Sequence, residues 1–167
     1  MSPRRPRART LLLAATVAAV LFALTSFLVV HRAESAAQAQ YDAEDSATGA
    51  AADALPRMLG YRHQSVKQDL EDATKVMTKG FAKKYAELSP QLATVAQQRQ
   101  IDVTAVVRAV APLECGQECS TETVRVLAFV DQNRTIAGKA ASPAALSVVV
   151  TMKQVDGNWK VSDLQTT

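Results

Sequence analysis

The sequence predicts an α+β domain held behind a single membrane-crossing helix. Three observations predict it: an uncharged apolar run near the N-terminus, a helical apolar period in mid-chain, and strand-like alternation from residue 101 onward. At 167 residues the chain has room for one domain and an anchor.

Residues 1–10 form a basic tail, with Arg4, Arg5, Arg7 and Arg9 and no acidic residue. Leu11 to Val30 is free of charge over twenty residues. At ~1.5 Å per residue, a helix of that length matches the roughly 30 Å hydrocarbon core of a bilayer. Four arginines precede the run and only His31 and Arg32 follow it, so the positive-inside bias places the N-terminus in the cytoplasm and the rest of the chain beyond the cytoplasmic membrane. The competing reading is a cleaved signal peptide, whose apolar stretch is typically about 7–15 residues, shorter than this one. Ser35-Ala36-Ala37 and Ala37-Gln38-Ala39 are the small-residue sites at which such cleavage would fall.

The formal charge of +3 belongs to the anchor. Five of the nineteen basic residues lie in the first 32 positions, which leaves fourteen facing all sixteen acidic ones in the remainder. The outer domain therefore has no basic excess for phosphates, and a nucleic-acid partner is not expected.

Residues 31–55 are rich in Ala, Gln, Asp, Glu and Ser. This composition predicts a polar, alanine-rich helix or stalk that buries little, ended or kinked at Pro56. Residues 56–167 make up the outer domain. Val66, Leu70, Ala73, Met77, Phe81, Tyr85 and Leu88 recur every three or four positions and predict one long helix. Ser65 and Gln68 form its capping box, Gly80 weakens its middle, and Ser89-Pro90 stops it and opens a short helix through Gln98. Phe81 and Trp159 are expected to lie buried between helix and sheet. Four strands follow, at 101–111, 123–131, 146–155 and 158–164, the last two joined by a type I′ turn at Asp156-Gly157. Helices first and an antiparallel meander afterwards give helices packed on one face of a curved sheet.

Catalytic chemistry is sparse. The outer domain has one histidine, His63, too few for a metal site that needs two, and no nucleophile-elbow sequence surrounds it. The six glycines are isolated, so no phosphate-cradling loop is formed. No carboxylate–histidine pair is evident. Tyr61, His63 and Asp131 are the weak candidates for lining a pocket; the plainer alternatives are core packing for Tyr61, a surface or rim position for His63, and an ordinary turn for Asp131. No catalytic residue, cofactor or metal is expected.

Cys115 and Cys119 frame C-G-Q-E-C between the first two strands. Three intervening residues do not match the two of oxidoreductase motifs, and zinc would need Glu114, Glu118 or Glu122 as weak further ligands. Outside the cytoplasm a disulfide is the natural state, with free thiols and a redox or metal role as the lesser alternatives. So short a loop gives only about 2 kcal/mol in the entropy model. Asn133-Arg134-Thr135 is formally a glycosylation acceptor, a pattern common enough to arise by chance.

L-G-Y-R-H-Q-S-V-K-Q-D-L at 59–70, G-F-A-K-K-Y-A-E-L at 80–88, V-L-A-F-V-D-Q at 126–132 and V-D-G-N-W-K-V-S-D-L at 155–164 follow the arginine-led anchor in order. This layout resembles the Mce-associated membrane proteins, partners of the mammalian-cell-entry lipid importers. The resemblance covers the anchor and about residues 55–167, but not the cysteine pair. It implies a cone-shaped fold similar to nuclear transport factor 2 and a non-enzymatic accessory subunit that stabilises or positions a cell-envelope lipid-import complex. The partners it implies are the bilayer and Mce-type transporter subunits. The same fold leaves two alternatives: a lipid-binding module that uses an apolar cone cavity, and an assembly component of a secretion channel. An enzyme of isomerase or dehydratase type using Tyr61, His63 or Asp131 ranks last.

Overall fold

A computed structural model of the chain describes residues 6–114, 116–141 and 143–166. It divides into two compact units, Met1–Gln40 and Tyr41–Thr167. Helix α1 (Pro6–Leu59) supplies the described structure of the first unit and the first element of the second. In the first unit, the hydroxyls of Thr16 and Thr25 donate to the carbonyls of Leu13 and Phe22, both at 2.9 Å. These two hydroxyls are thereby satisfied within the helix, as lipid requires. Phe22, Phe27, Val29 and their apolar neighbours stand exposed. Among the described residues this is the one helix long and apolar enough to cross a membrane.

In the second unit, α1 buries more than its composition suggests. Ala43, Ala47, Ala51, Ala54, Leu55 and Met58 fall on one face and belong to the main core. The expectation that residues 31–55 bury little is corrected here, because methyl-sized side chains let the helix backbone approach the sheet without any large apolar residue. Pro56 sits inside the last turn, and the helix ends at Leu59.

The single helix expected from Val66 to Leu88 is two, α2 (Val66–Thr74) and α3 (Lys79–Arg99). Between them, residues 76–78 lie beside the last strand: the Val161 N–H donates to the Val76 carbonyl (2.9 Å) and the Thr78 N–H to the Val161 carbonyl (2.8 Å). Thr78 then caps α3 by accepting from the Phe81 N–H. The apolar period survives the break because Leu70, Ala73 and Met77 all face buried surroundings. Pro90 does not stop the helix. Its missing N–H costs one bond, the Ser89 hydroxyl donates to the Tyr85 carbonyl at 2.8 Å, and buried Ala93 and Ala96 hold the second half in place. The Ser65–Gln68 capping box is also absent, since Ser65 donates its hydroxyl to Asp69 instead.

The sheet is antiparallel throughout: β1 (Ile101–Leu113), β2 (Thr123–Ile136), β3 (Lys139–Ala140), β4 (Ala144–Val155) and β5 (Asn158–Thr166), in the order β1-β2-β4-β5 with β3 beside the end of β2. Val124, Val126, Ala128 and Val130 share the buried face with Val148, Val150, Met152 and Val161. Register shifts at Val107/Ala109 and Thr151/Met152 bend the strands over the helices. Asp156 (φ 50) and Gly157 (φ 76) carry the positive φ angles a type I′ turn needs. Phe81 and Trp159 pack against this core only half-buried. No buried residue among those described is polar or charged.

Candidate functional site

The segment 59–65 joins α1 to α2 and gathers most of the residues that the sequence singles out. Gly60 sits where a Cβ would lie 2.8 Å from the Pro56 carbonyl oxygen and 3.2 Å from that of Val103, so only glycine fits. Tyr61 then forms an antiparallel rung on the outer edge of β1: its N–H donates to the Val103 carbonyl (2.9 Å), and its carbonyl accepts from the Val103 N–H (2.8 Å). The last carbonyls of α1, left without helical partners, are met by side chains from afar. The Tyr85 hydroxyl donates to Met58 at 3.0 Å and the Gln132 amide to Leu59 at 2.9 Å. Asp131 and Gln132 thus lie within β2, not at its end as the sequence suggested, and Gln132 caps a helix 73 positions away.

Two carboxylates clasp the same segment. One Asp102 oxygen lies 2.7 Å from both the His63 N–H and His63 Nδ1. These bonds, the backbone one first, hold the Asp102 carboxyl below its ordinary range. A carboxylate–histidine pair therefore exists where none was evident in the sequence. Asp69 accepts from the Arg62 N–H (2.9 Å), the Ser65 hydroxyl (3.0 Å) and the Arg62 guanidinium (3.3 Å). Burial pushes its pKa up, and those bonds together outweigh the burial and lower it.

Tyr61 borders a groove of about 600 Å³ shared with Arg57, Arg62, Asp69, Lys75 and Val103. Burial raises the pKa of Tyr61, against the nearby charge of Arg134, and pushes Tyr85 up to about 12. Asp131 stands apart from Tyr61 and His63, on the sheet, paired with Arg108 at 2.7 Å. The three candidates are thus not brought together. His63 and Asp102 do not line the Tyr61 groove, and the hydroxyl and second carboxylate at the same segment, Ser65 and Asp69, are bonded to each other at 3.0 Å. Their arrangement fastens the 59–65 segment to the start of β1. Cys119 follows a one-turn 3-10 helix (Gly116–Glu118), while Cys115 lies outside the described residues, so the expected bridge stays an expectation.

No protein-family model matches the chain. Among solved structures, a periplasmic fragment of TraM aligns with TM-score 0.61 at 11% identity, covering 73% of this chain and 95% of that one. An IcmL-like type IV secretion system protein from Legionella pneumophila aligns with TM-score 0.58 at 16% identity, covering 72% and 88%. These likenesses carry the fold, a cone of the nuclear transport factor 2 kind. In sequence, the Mycobacterium tuberculosis protein Rv1362c is 32% identical over 141 residues, 83% of this chain and 62% of its own length. The outer membrane protein Rv1973 of the same organism is 35% identical over 117 residues, covering 70% of this chain and 71% of that one. At that identity and coverage, the chain belongs to the family of the M. tuberculosis outer membrane protein Rv1973.

Proposed function

We propose that this protein is a non-enzymatic accessory subunit, anchored in the cytoplasmic membrane with its N-terminus inside, that stabilises or positions a lipid-import complex of the Mce type. The observation that carries the reading is the filling of the cone. The alanine face of α1, Met77 and Met152 fill the core against the sheet among valines. Among the described residues no buried one is polar or charged, and Tyr85 packs against this core only half-buried. Acid–base catalysis on this fold needs a cavity with titratable walls, and a lipid-binding cone needs an open apolar one. A filled cone supports neither, and leaves the outer surface as the working part.

The transporter class rests on the resemblance of the motifs at 59–70, 80–88, 126–132 and 155–164. Membership beside a mycobacterial envelope protein supports an envelope setting. The fold shared with type IV secretion proteins favours a second reading, assembly of a secretion channel. Placement in the cytoplasmic membrane rests on the arginines before Leu11, whereas the name of Rv1973 points to the outer membrane for that relative.

Full-length protein extracted in mild detergent should bring down subunits of a lipid importer, and its loss should lower lipid uptake by lowering the amount of that complex. Co-purification with secretion-channel subunits alone would replace the first reading with the second. Recovery in the outer-membrane fraction would overturn the membrane assigned.

A further inference from the structure

The two edges of the sheet are treated differently. The outer edge of β5 is covered at Val161, which exchanges backbone bonds with Val76 and Thr78, and Lys160 reaches across to the Lys75 carbonyl at 2.7 Å. The outer edge of β1 is covered by Tyr61 at Val103 and, among the described residues, by no backbone partner beyond it.

Backbone N–H and C=O groups on a strand alternate sides, so those of Val107 point outward as those of Val103 do. The register shift between Val107 and Ala109 resets the alternation, and Val110 is the next outward position. Pro112, with no N–H, ends the series. Apart from Arg108 at the bulge, this stretch (Val106, Val107, Ala109, Val110) is apolar, and Val106 is 38% exposed. Of the devices that blunt a free edge it has the bulge, Arg108 (turned to Asp131 at 2.7 Å) and Pro112, and no lysine, which leaves Val107 and Val110 themselves unprotected.

Beside the edge runs a groove of about 530 Å³ walled by Ala52 and Pro56 of α1. It meets the Tyr61 groove at Pro56 and Ala105, where exposed Arg57 has no ion-pair partner among the described residues. Tyr61 already makes the first rung of an added strand, and Val107 and Val110 leave the following rungs open.

We infer that the free edge of β1 at Val107–Val110, with the α1 groove beside it, takes up an extended, largely apolar segment of a partner polypeptide as an added strand, with an acidic residue of that segment set against Arg57. The inference deepens the accessory-subunit reading and rests on it. The open row of backbone groups recognises extended chain and nothing else. A second copy of this chain fits less well, because each copy carries its own α1 wall at the same edge.

The test uses the full chain in its native membrane, with a benzophenone amino acid introduced at position 106. Cross-links should map to one extended segment of a different polypeptide. Val107→Pro removes an outward N–H and spares the ladder to β2; it should lower the cross-link yield about tenfold, while Val107→Ala, which loses only side chain, should stay within about twofold. Melting temperature checks the fold of each variant, and Val110→Pro substitutes if Val107→Pro does not fold. Cross-links to β1 of a second copy or to lipid only, no cross-link at all, or a yield indifferent to proline would each overturn the strand-addition site. If importer subunits still co-purify in those cases, the accessory reading stands and only the site falls. If no subunit co-purifies with the unaltered protein, the accessory reading falls first.

Discussion

At the scale of single residues, the segment 59–65 is held by atoms that meet only in the fold. Gly60→Ala would drive a methyl group onto the Pro56 and Val103 carbonyl oxygens. Those are backbone atoms that cannot swing aside, so the variant should lose about 1–3 kcal/mol in denaturant unfolding. A loss under about 0.5 kcal/mol would mean that α1 and β1 separate easily. Asp102 has a pKa below its ordinary 3.8 in the folded chain because it accepts two bonds from His63. A lowered carboxylate pKa stabilises the fold above the unfolded value, and that contribution fades as pH falls below about 4 through the folded one. Asp102→Asn should therefore flatten the acid limb of the stability curve, and an unchanged acid limb would show that the pair carries no linkage. None of these roles was legible in the sequence. Gly60 looked like any isolated glycine, and Asp102 lies 39 positions from the histidine it holds. Spacing arguments see partners within a turn or along a strand, not across a sheet edge.

At the scale of elements, the sequence was most legible where one face is buried and the other wet. The four long strands fall where the Val- and Thr-rich alternation put them, and Asp156-Gly157 makes the turn its φ angles require. Legibility failed where a small-residue face or a tertiary bond decided the outcome. The alanines of α1 read as stalk because each buries little alone, and the break at 75–78 follows from bonds to Val161 that no local pattern announces. The consequence for stability is measurable. Leu55 is fully buried, so Leu55→Ala should cost about 2–5 kcal/mol, whereas Phe81→Ala at a half-buried site should fall below the 3–5 kcal/mol of a buried phenylalanine. The reverse order would mean that the anchor of the core is α3 rather than α1. For the β1–β2 connection, non-reducing mass spectrometry should find Cys115 bonded to Cys119. Replacing both with Ser should cost no more than about 2 kcal/mol, since the loop is so short. Two free thiols in protein from the envelope would dismiss the bridge.

At the scale of the whole molecule, the division into Met1–Gln40 and Tyr41–Thr167 separates attachment from structure. The core, from Ala43 to Val161, lies wholly in the second unit. Deleting residues 1–32 should leave it folded, with the cooperative unfolding of the parent. The anchor contributes something else. Confinement to a membrane raises the effective concentration of the domain for a membrane partner, so that a contact too weak in free solution is occupied when tethered. On the accessory-subunit proposal, the truncated protein should then fail to support lipid import while keeping its fold, and fusion to an unrelated single-span anchor of the same orientation should restore that support. Tyr61→Ala, His63→Ala and Asp131→Ala in the full chain test the opposite case. None of these side chains lies in a shared cavity, so single changes should leave import close to its parental rate and complex levels intact. An enzyme would respond differently: one change at His63 or Asp131 would abolish import while the complex still assembled, and that result would sink the accessory reading.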